Sequence, residues 1–236
     1  MKQLFTAALL AVCAVAGAQK TINDPNAQLR PVSTFHAVSV GSGIDLYLSA
    51  GDEALAVSAR DVEYRDRIQT KVENGVLRIW FEHKGLSFTR GTKALKAYVS
   101  YKMLDAIDAS GGSDVRVDGA IRANSLSVSL SGGSDFHGAV AVQQMKVDQS
   151  GGSDMTVSGT AGTLRVDASG GSDFKGFDLS AESCTAEASG GSDIDVNVSR
   201  EIRASASGGS DISYRGNPTV VNTNKSGGSS VRKSGR

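Results

Sequence analysis

The side chains of this chain best placed to do chemistry are six aspartates at near-constant spacing: Asp114, Asp135, Asp154, Asp173, Asp193 and Asp211. Each closes a copy of Ser-Gly-Gly-Ser-Asp, and the copies begin at Ser110, Ser131, Ser150, Ser169, Ser189 and Ser207. A seventh copy, from Ser226, ends in Ser230 instead of aspartate. Successive starts lie 21, 19, 19, 20, 18 and 19 residues apart. A fixed period means stacked repeats, and stacking brings equivalent carboxylates to about 5 Å from one another. Two such charges repel by ~0.9 kcal/mol at water's dielectric and by several-fold more beside a low-dielectric surface. Two arrangements offset this. Each carboxylate can accept hydrogen bonds from N–H groups of its own turn, or the row can hold cations, with Ca2+ the natural choice for oxygen ligands. The structural turn is the reading adopted, and no metal or cofactor is assigned; a Ca2+ ladder over the six aspartates is the alternative.

Other reactive patterns are weaker. Glycoside hydrolysis needs two carboxylates made unlike each other by their surroundings, whereas these six are equivalent by repetition. Asp193, Asp195 and Asp211 form a local acidic patch, read as a solvated face. His36, His83 and His137 are scattered without metal-ligand spacing. No Gly-x-Ser-x-Gly elbow has acid and histidine partners, and no Gly-rich run opens a helix with lysine. The chain therefore reads as a non-enzyme. Formal net charge is zero, so no basic field suggests nucleic acid. Trp80, Phe81, Phe88, Tyr98 and Tyr101 cluster around one hairpin and the basic loop 83–93. Of these, Trp80, Phe88, Tyr98 and Tyr101 are the binding candidates, able to stack on a glycan or dock a surface protein if exposed. The competing and preferred reading is that the aromatics close the core at the N-terminal end.

The elements that must position the aspartates are short strands. Five residues after each repeat start stand Val115, Phe136, Met155, Phe174, Ile194, Ile212 and Val231. Five before the later starts stand Leu126, Met145, Leu164, Cys184, Ile202 and Val221, and three before stand Val128, Val147, Val166, Ala186, Ala204 and Thr223. These are inward positions of period-2 strands. Between them lies a polar, outward column of Arg116, His137, Thr156, Lys175, Asp195 and Ser213. The expectation is an all-β, parallel β-helix or solenoid with coils of about 19 residues, each of two strands and two turns. Glycine permits the corner, the second serine faces in, and the aspartate faces out. Cys184, in an apolar column, reads as a buried, inert thiol. Ser230, Lys233 and Arg236 make the last coil a polar cap.

Ahead of the repeats, Lys2, the apolar run Leu4–Val15 and Ala16-Gly17-Ala18 read as a signal peptide over residues 1–18. The run is too short to span a bilayer, so the mature chain has no transmembrane segment. A lipoprotein signal on Cys13 is disfavoured by the bulk of Val12. Residues 19–32 are a leader. Residues 33–234 are one domain, with 33–104 an irregular β part and 105–236 the repeats. Asn74-Gly75 between 68–72 and 76–81 predicts a tight hairpin, and 61–67 a loop or single helical turn.

The early Gly43-Ile44-Asp45 turn, the hairpin strand Val76-Leu77-Arg78-Ile79, the run Leu104-x-x-Ile107-x-x-Ser110-Gly111-Gly112 and the later Asp211–Pro218 stretch together carry a resemblance. The chain resembles the putative auto-transporter adhesin, head GIN domain family, over about residues 33–234. The resemblance implies a right-handed β-helix-like fold and export in Gram-negative bacteria. It carries no catalytic residues. The functional expectation is an exported, non-catalytic solenoid with a structural, adhesive or binding role at the cell envelope or surface, whether periplasmic or extracellular. The alternative is a polysaccharide lyase or hydrolase on the same scaffold.

Overall fold

The computed structural model describes residues 23–83 and 93–235; the expected signal peptide, Phe88 and Arg236 lie outside them. The chain first forms β1 (Gln28–Arg30), β2 (Ala37–Val40), β3 (Asp45–Ala50), β4 (Ala54–Ser58), the one-turn helix α1 (Val62–Arg65), β5 (Ile68–Glu73), β6 (Val76–Phe81), β7 (Lys96–Tyr101) and β8 (Ala106–Ala109). The repeats form β9 (Val115–Leu130), β10 (Phe136–Gln149), β11 (Asp154–Ala168), β12 (Asp173–Ala188) and β13 (Asp193–Ala206). The chain finishes with β14 (Asp211–Arg215), β15 (Thr219–Lys225) and β16 (Ser230–Lys233).

The sequence columns are the observed register. Val115, Phe136, Met155, Phe174, Ile194, Ile212 and Val231 are successive cross-strand partners in parallel pairing. So are Leu126, Met145, Leu164, Cys184 and Ile202. The protein is a parallel β-solenoid with coils about 19 residues apart. Its interior is one stack of apolar side chains, which a single coil could not bury alone.

The coil differs from the expected two strands and two turns. Each of β9 to β13 is one hydrogen-bonded run of 14 to 16 residues from one corner to the next. The second turn is a bend inside that run, absorbed by register shifts such as those between Thr156 and Ser158 and between Gly176 and Ser180. Core volume is balanced locally. A side-chain carbon at Gly138 would lie 3.2 Å from the Phe136 ring, and one at Gly176 would lie 2.3 Å from the Phe174 ring. The coils with the largest inward side chain thus have no side chain two residues on, where others have Val117, Val157 or Val196, and packing density is kept.

The N-terminal part is more regular in space than in sequence. β2 pairs with both β6 and β8, and β3 with both β7 and β9, all parallel. The coil β2–β3 therefore lies between the coil of β6 and β7 and the coil that opens the repeats. Chain order and stack order differ here. Beyond β7 lie β4 and then β1, both antiparallel, and beyond β6 lies β5, the expected Asn74-Gly75 hairpin. The link from β4 on one arm to β5 on the other contains α1, whose Tyr64 packs against the core.

At the other end, Ile202 pairs with Val220, and a register shift displaces Val221 from the inward column it was expected to fill. Both valines are exposed, at 44% and 46%. Thr223 and Lys225 follow opposite Ala204 and Ala206. The end is polar, as expected, but a lysine placed in an inward column does much of the blunting.

Candidate ligand-binding surface

In the six complete copies the corner serine expected to face inward is fully buried: Ser113, Ser134, Ser153, Ser172, Ser192 and Ser210. Burial requires a partner for each hydroxyl. Ser192 Oγ accepts from the Ser189 N–H at 3.1 Å and lies 3.0 Å from the Ala168 carbonyl oxygen, to which it can donate. Ser210 repeats this against Ser207 and Ala188. In the early corners the hydroxyl serves the preceding coil instead: Ser134 Oγ accepts from the Ser113 N–H, and Ser113 Oγ from the Ile44 N–H, both at 3.1 Å.

The aspartate ladder faces solvent, but its partners are not the N–H groups of its own turns. The Asp135 carboxylate accepts from the Asp154 N–H of the next coil at 3.3 Å, and Asp193 from the Asp211 N–H at 3.2 Å. Cations in the column two residues on supply the rest. Arg116 lies 3.1 Å from Asp114, and Lys175 lies 3.2 Å from Asp154 and 3.6 Å from Asp173. At the end Ser230 Oγ donates to Asp211 at 2.7 Å. Among the described residues no three His, Cys, Asp or Glu side chains group as a metal site.

A second acidic ladder, which the sequence reading did not identify, runs along the other side of the corner. Asp108, Ser129, Asp148, Asp167, Glu187 and Ser205 are successive partners. Its signal was present: these residues stand two before each Ser-Gly-Gly. Lys146 lies 2.7 Å from Asp148, and Arg165 reaches both Asp167 and Glu187 at 3.0 Å. Partial burial, then the Glu187 and Asp148 charges, push the Asp167 carboxyl above its ordinary value despite Arg165. The corner ridge is thus flanked on each side by an acidic column and, beyond it, a column carrying cations.

Two shallow depressions lie on these faces. One, of about 430 Å³, is lined by Asp148, Asp167, Glu187 and the corner serines Ser150, Ser169 and Ser189. The other, of about 310 Å³, lies where Asp193, Asp195 and Asp211 meet Lys175 and Arg232. Burial and the Asp193 charge push the Asp195 carboxyl upward.

The aromatic candidates do not form one platform. Phe81 and Tyr101 are buried, as the core-closing reading requires, whereas Trp80 faces outward at 38% exposure. Lys93 and Arg67 each place a cation within 5 Å of the Phe81 ring centroid. Tyr98 stacks on Tyr47 at 5.1 Å and donates to Asp24 at 2.8 Å, so one ring face and its hydroxyl are already used. Burial and the Asp24 bond push that phenol above its ordinary value. His36 Nδ1 lies 2.8 Å from Asp105 Oδ1, His83 meets the edge of Phe81, and His137 stands exposed in the outward column. Burial pushes the Cys184 thiol up to about 12.

Stacked corners, an inward serine column and an N-terminal arm built on Gly43-Ile44-Asp45 match a known pattern: residues 34–218 match the family described as "Putative auto-transporter adhesin, head GIN domain". The chain belongs to this family. Solved structures share the fold. A "putative adhesin" from Bacteroides fragilis superposes with a TM-score of 0.82 at 21% identity, covering 88% of this chain and 95% of the other. A "putative adhesin" from Parabacteroides distasonis gives 0.67 at 19%, covering 88% and 96%. A "putative lipid binding protein" from the same organism gives 0.66 at 17%, covering 90% and 98%. At these identities the likeness concerns the fold alone. No curated protein matches the sequence. Among the described residues no helix is long and apolar enough to cross a membrane.

Proposed function

We propose that this head GIN domain protein is exported by its N-terminal signal and serves as a non-catalytic adhesive or binding scaffold at the cell envelope or surface. The observation that carries this reading is the equivalence of the ladders. The carboxylates of successive coils face out in register and are partnered by the protein's own Lys, Arg and N–H groups. That arrangement presents the same pattern repeatedly along a face, which suits an extended glycan or protein surface better than one reacting bond. Catalysis by a carboxylate pair requires two groups set apart by environment, whereas the rungs of each ladder repeat one another in register. The neighbour named as lipid binding suggests a third ligand class, but both depressions described above are lined largely by polar residues.

The test is binding of the purified chain to panels of envelope polysaccharides and surface proteins, with product release followed in the same wells. Saturable binding without reducing-end release, weakened by the triple variant Asp148→Ala/Asp167→Ala/Glu187→Ala, is expected. Turnover abolished by Asp195→Asn would replace the scaffold reading with the enzyme one.

A further inference from the structure

The C-terminal coil differs from those before it in charge and in what it leaves open. Every charged residue after Asp211 is cationic: Arg215, Lys225, Arg232, Lys233 and Arg236. All seven residues of β15 are exposed. Among the described residues β15 pairs only with β13, so no strand satisfies its outer edge. An unpaired edge is a template for another strand.

The inward columns say which strand fits. A strand laid on β15 continues them, placing one residue over Val220 and others over Thr223 and Lys225, where earlier coils have Ile202, Ala204 and Ala206. An apolar residue over Lys225 would bury an unpaired ammonium, which is strongly unfavourable. An acidic residue there forms a pair. The lysine that rejects another apolar coil thus selects an acidic one, which is specificity by exclusion. Arg232 and Lys233 on the adjoining β16 extend the same field.

We propose that the outer edge of β15 is a docking site for an extended acidic segment of a partner protein, added as one further strand. A second copy does not supply that segment. β1 and β15 contain no acidic residue, and in β5 the one acid, Glu73, is held by Lys71 at 2.6 Å. A lipid surface would leave the edge N–H and C=O groups without partners. This surface is separate from the ladder faces, and its fate does not depend on theirs.

The test uses the full chain and two short synthetic peptides, one alternating valine with glutamate, the other valine with lysine, followed by fluorescence anisotropy. The glutamate peptide is expected to bind about tenfold or more tightly than the lysine peptide, an amount equal to one ion pair of modest strength, and to weaken as salt rises. Lys225→Glu should reverse the preference. Arg232→Glu, which changes net charge equally but lies on β16, should retain it. Unchanged melting temperatures confirm that both variants fold. Equal binding of the two peptides, or equal losses in the two variants, would overturn the proposal. So would binding to phosphatidylglycerol vesicles without peptide binding, or a dimer in sedimentation that masks the edge.

Discussion

Gly170 stands directly over Gly151: a side-chain carbon on Gly170 would lie 2.7 Å from the Gly151 carbonyl oxygen, and Gly170 has φ of +79°. The next glycine, Gly171, has ordinary φ, and the nearest atom to such a carbon is 3.8 Å away. The two glycines of one corner therefore carry different burdens. Gly170→Ala combines about 1–2 kcal/mol of left-handed strain with a clash against stacked backbone, so a loss of at least ~2 kcal/mol is expected. Gly171→Ala should stay within ~0.5 kcal/mol of the parent. Urea midpoints of the two variants check this; equal losses would mean the stacking is not as described.

Inward columns and corner were legible because period-2 alternation repeated in register leaves only one way to stack Val115, Phe136 and Met155. The parity argument that put Ser192 inward and Asp193 outward rests on the same alternation. The order of the first coils was not legible. Nothing in the sequence of β2 says that β6 and β8 will flank it, because any of these short apolar strands fits any neighbour. The bend inside β11 was hidden because it is taken up by bulges, not by a Gly-Pro turn. Val221 was misplaced because the columns counted back from Ser226 hold as far as Thr223 and Asn222, and one bulged residue then shifts the partner of Ile202 from Val221 to Val220. The second acidic ladder was not legible because its column mixes Asp, Glu and Ser, with Ser129 and Ser205 interrupting the acids.

Cys184 sits between Leu164 and Ile202 in a core column, and burial holds its thiol near 12. The thiolate is the reactive form, so at pH 8 the folded protein should resist Ellman's reagent. A Cys13→Ser background leaves Cys184 as the single thiol. One thiol per chain should then appear only in guanidinium, and rapid labelling of the native protein would show the column to be open.

Asp195 is held above its ordinary value by burial and by Asp193. A carboxyl whose folded pKa is raised binds its proton more tightly in the folded state than in the unfolded one. Its charge therefore opposes folding at neutral pH. That opposition is relieved as pH falls through the folded pKa toward the unfolded value of about 3.9. Asp195→Asn should raise the melting temperature at pH 7 and lose that advantage by about pH 3, where both states carry the proton. Asp45, raised by burial and then by Asp114, should behave in the same direction. A variant that gains more at acid pH than at neutral pH would reverse the sign and remove the proposed repulsion.

Lys175 reaches two rungs of the aspartate ladder, Asp154 and Asp173. Those two rungs have a cation within the protein, so added Ca2+ has little left to neutralise there. After EDTA treatment the melting temperature of the parent chain should not move on titration to millimolar Ca2+. Lys175→Met uncovers the two carboxylates. It should cost roughly 0.5–1 kcal/mol at low salt, the usual range for an exposed pair, and less in molar NaCl, where the Debye length falls to about 3 Å. The variant, unlike the parent, should then regain stability with millimolar Ca2+, since two stacked carboxylates without a lysine are a weak oxygen site. A parent chain that gains several degrees with Ca2+ would instead place cations along the ladder, with Lys175 an interruption in it.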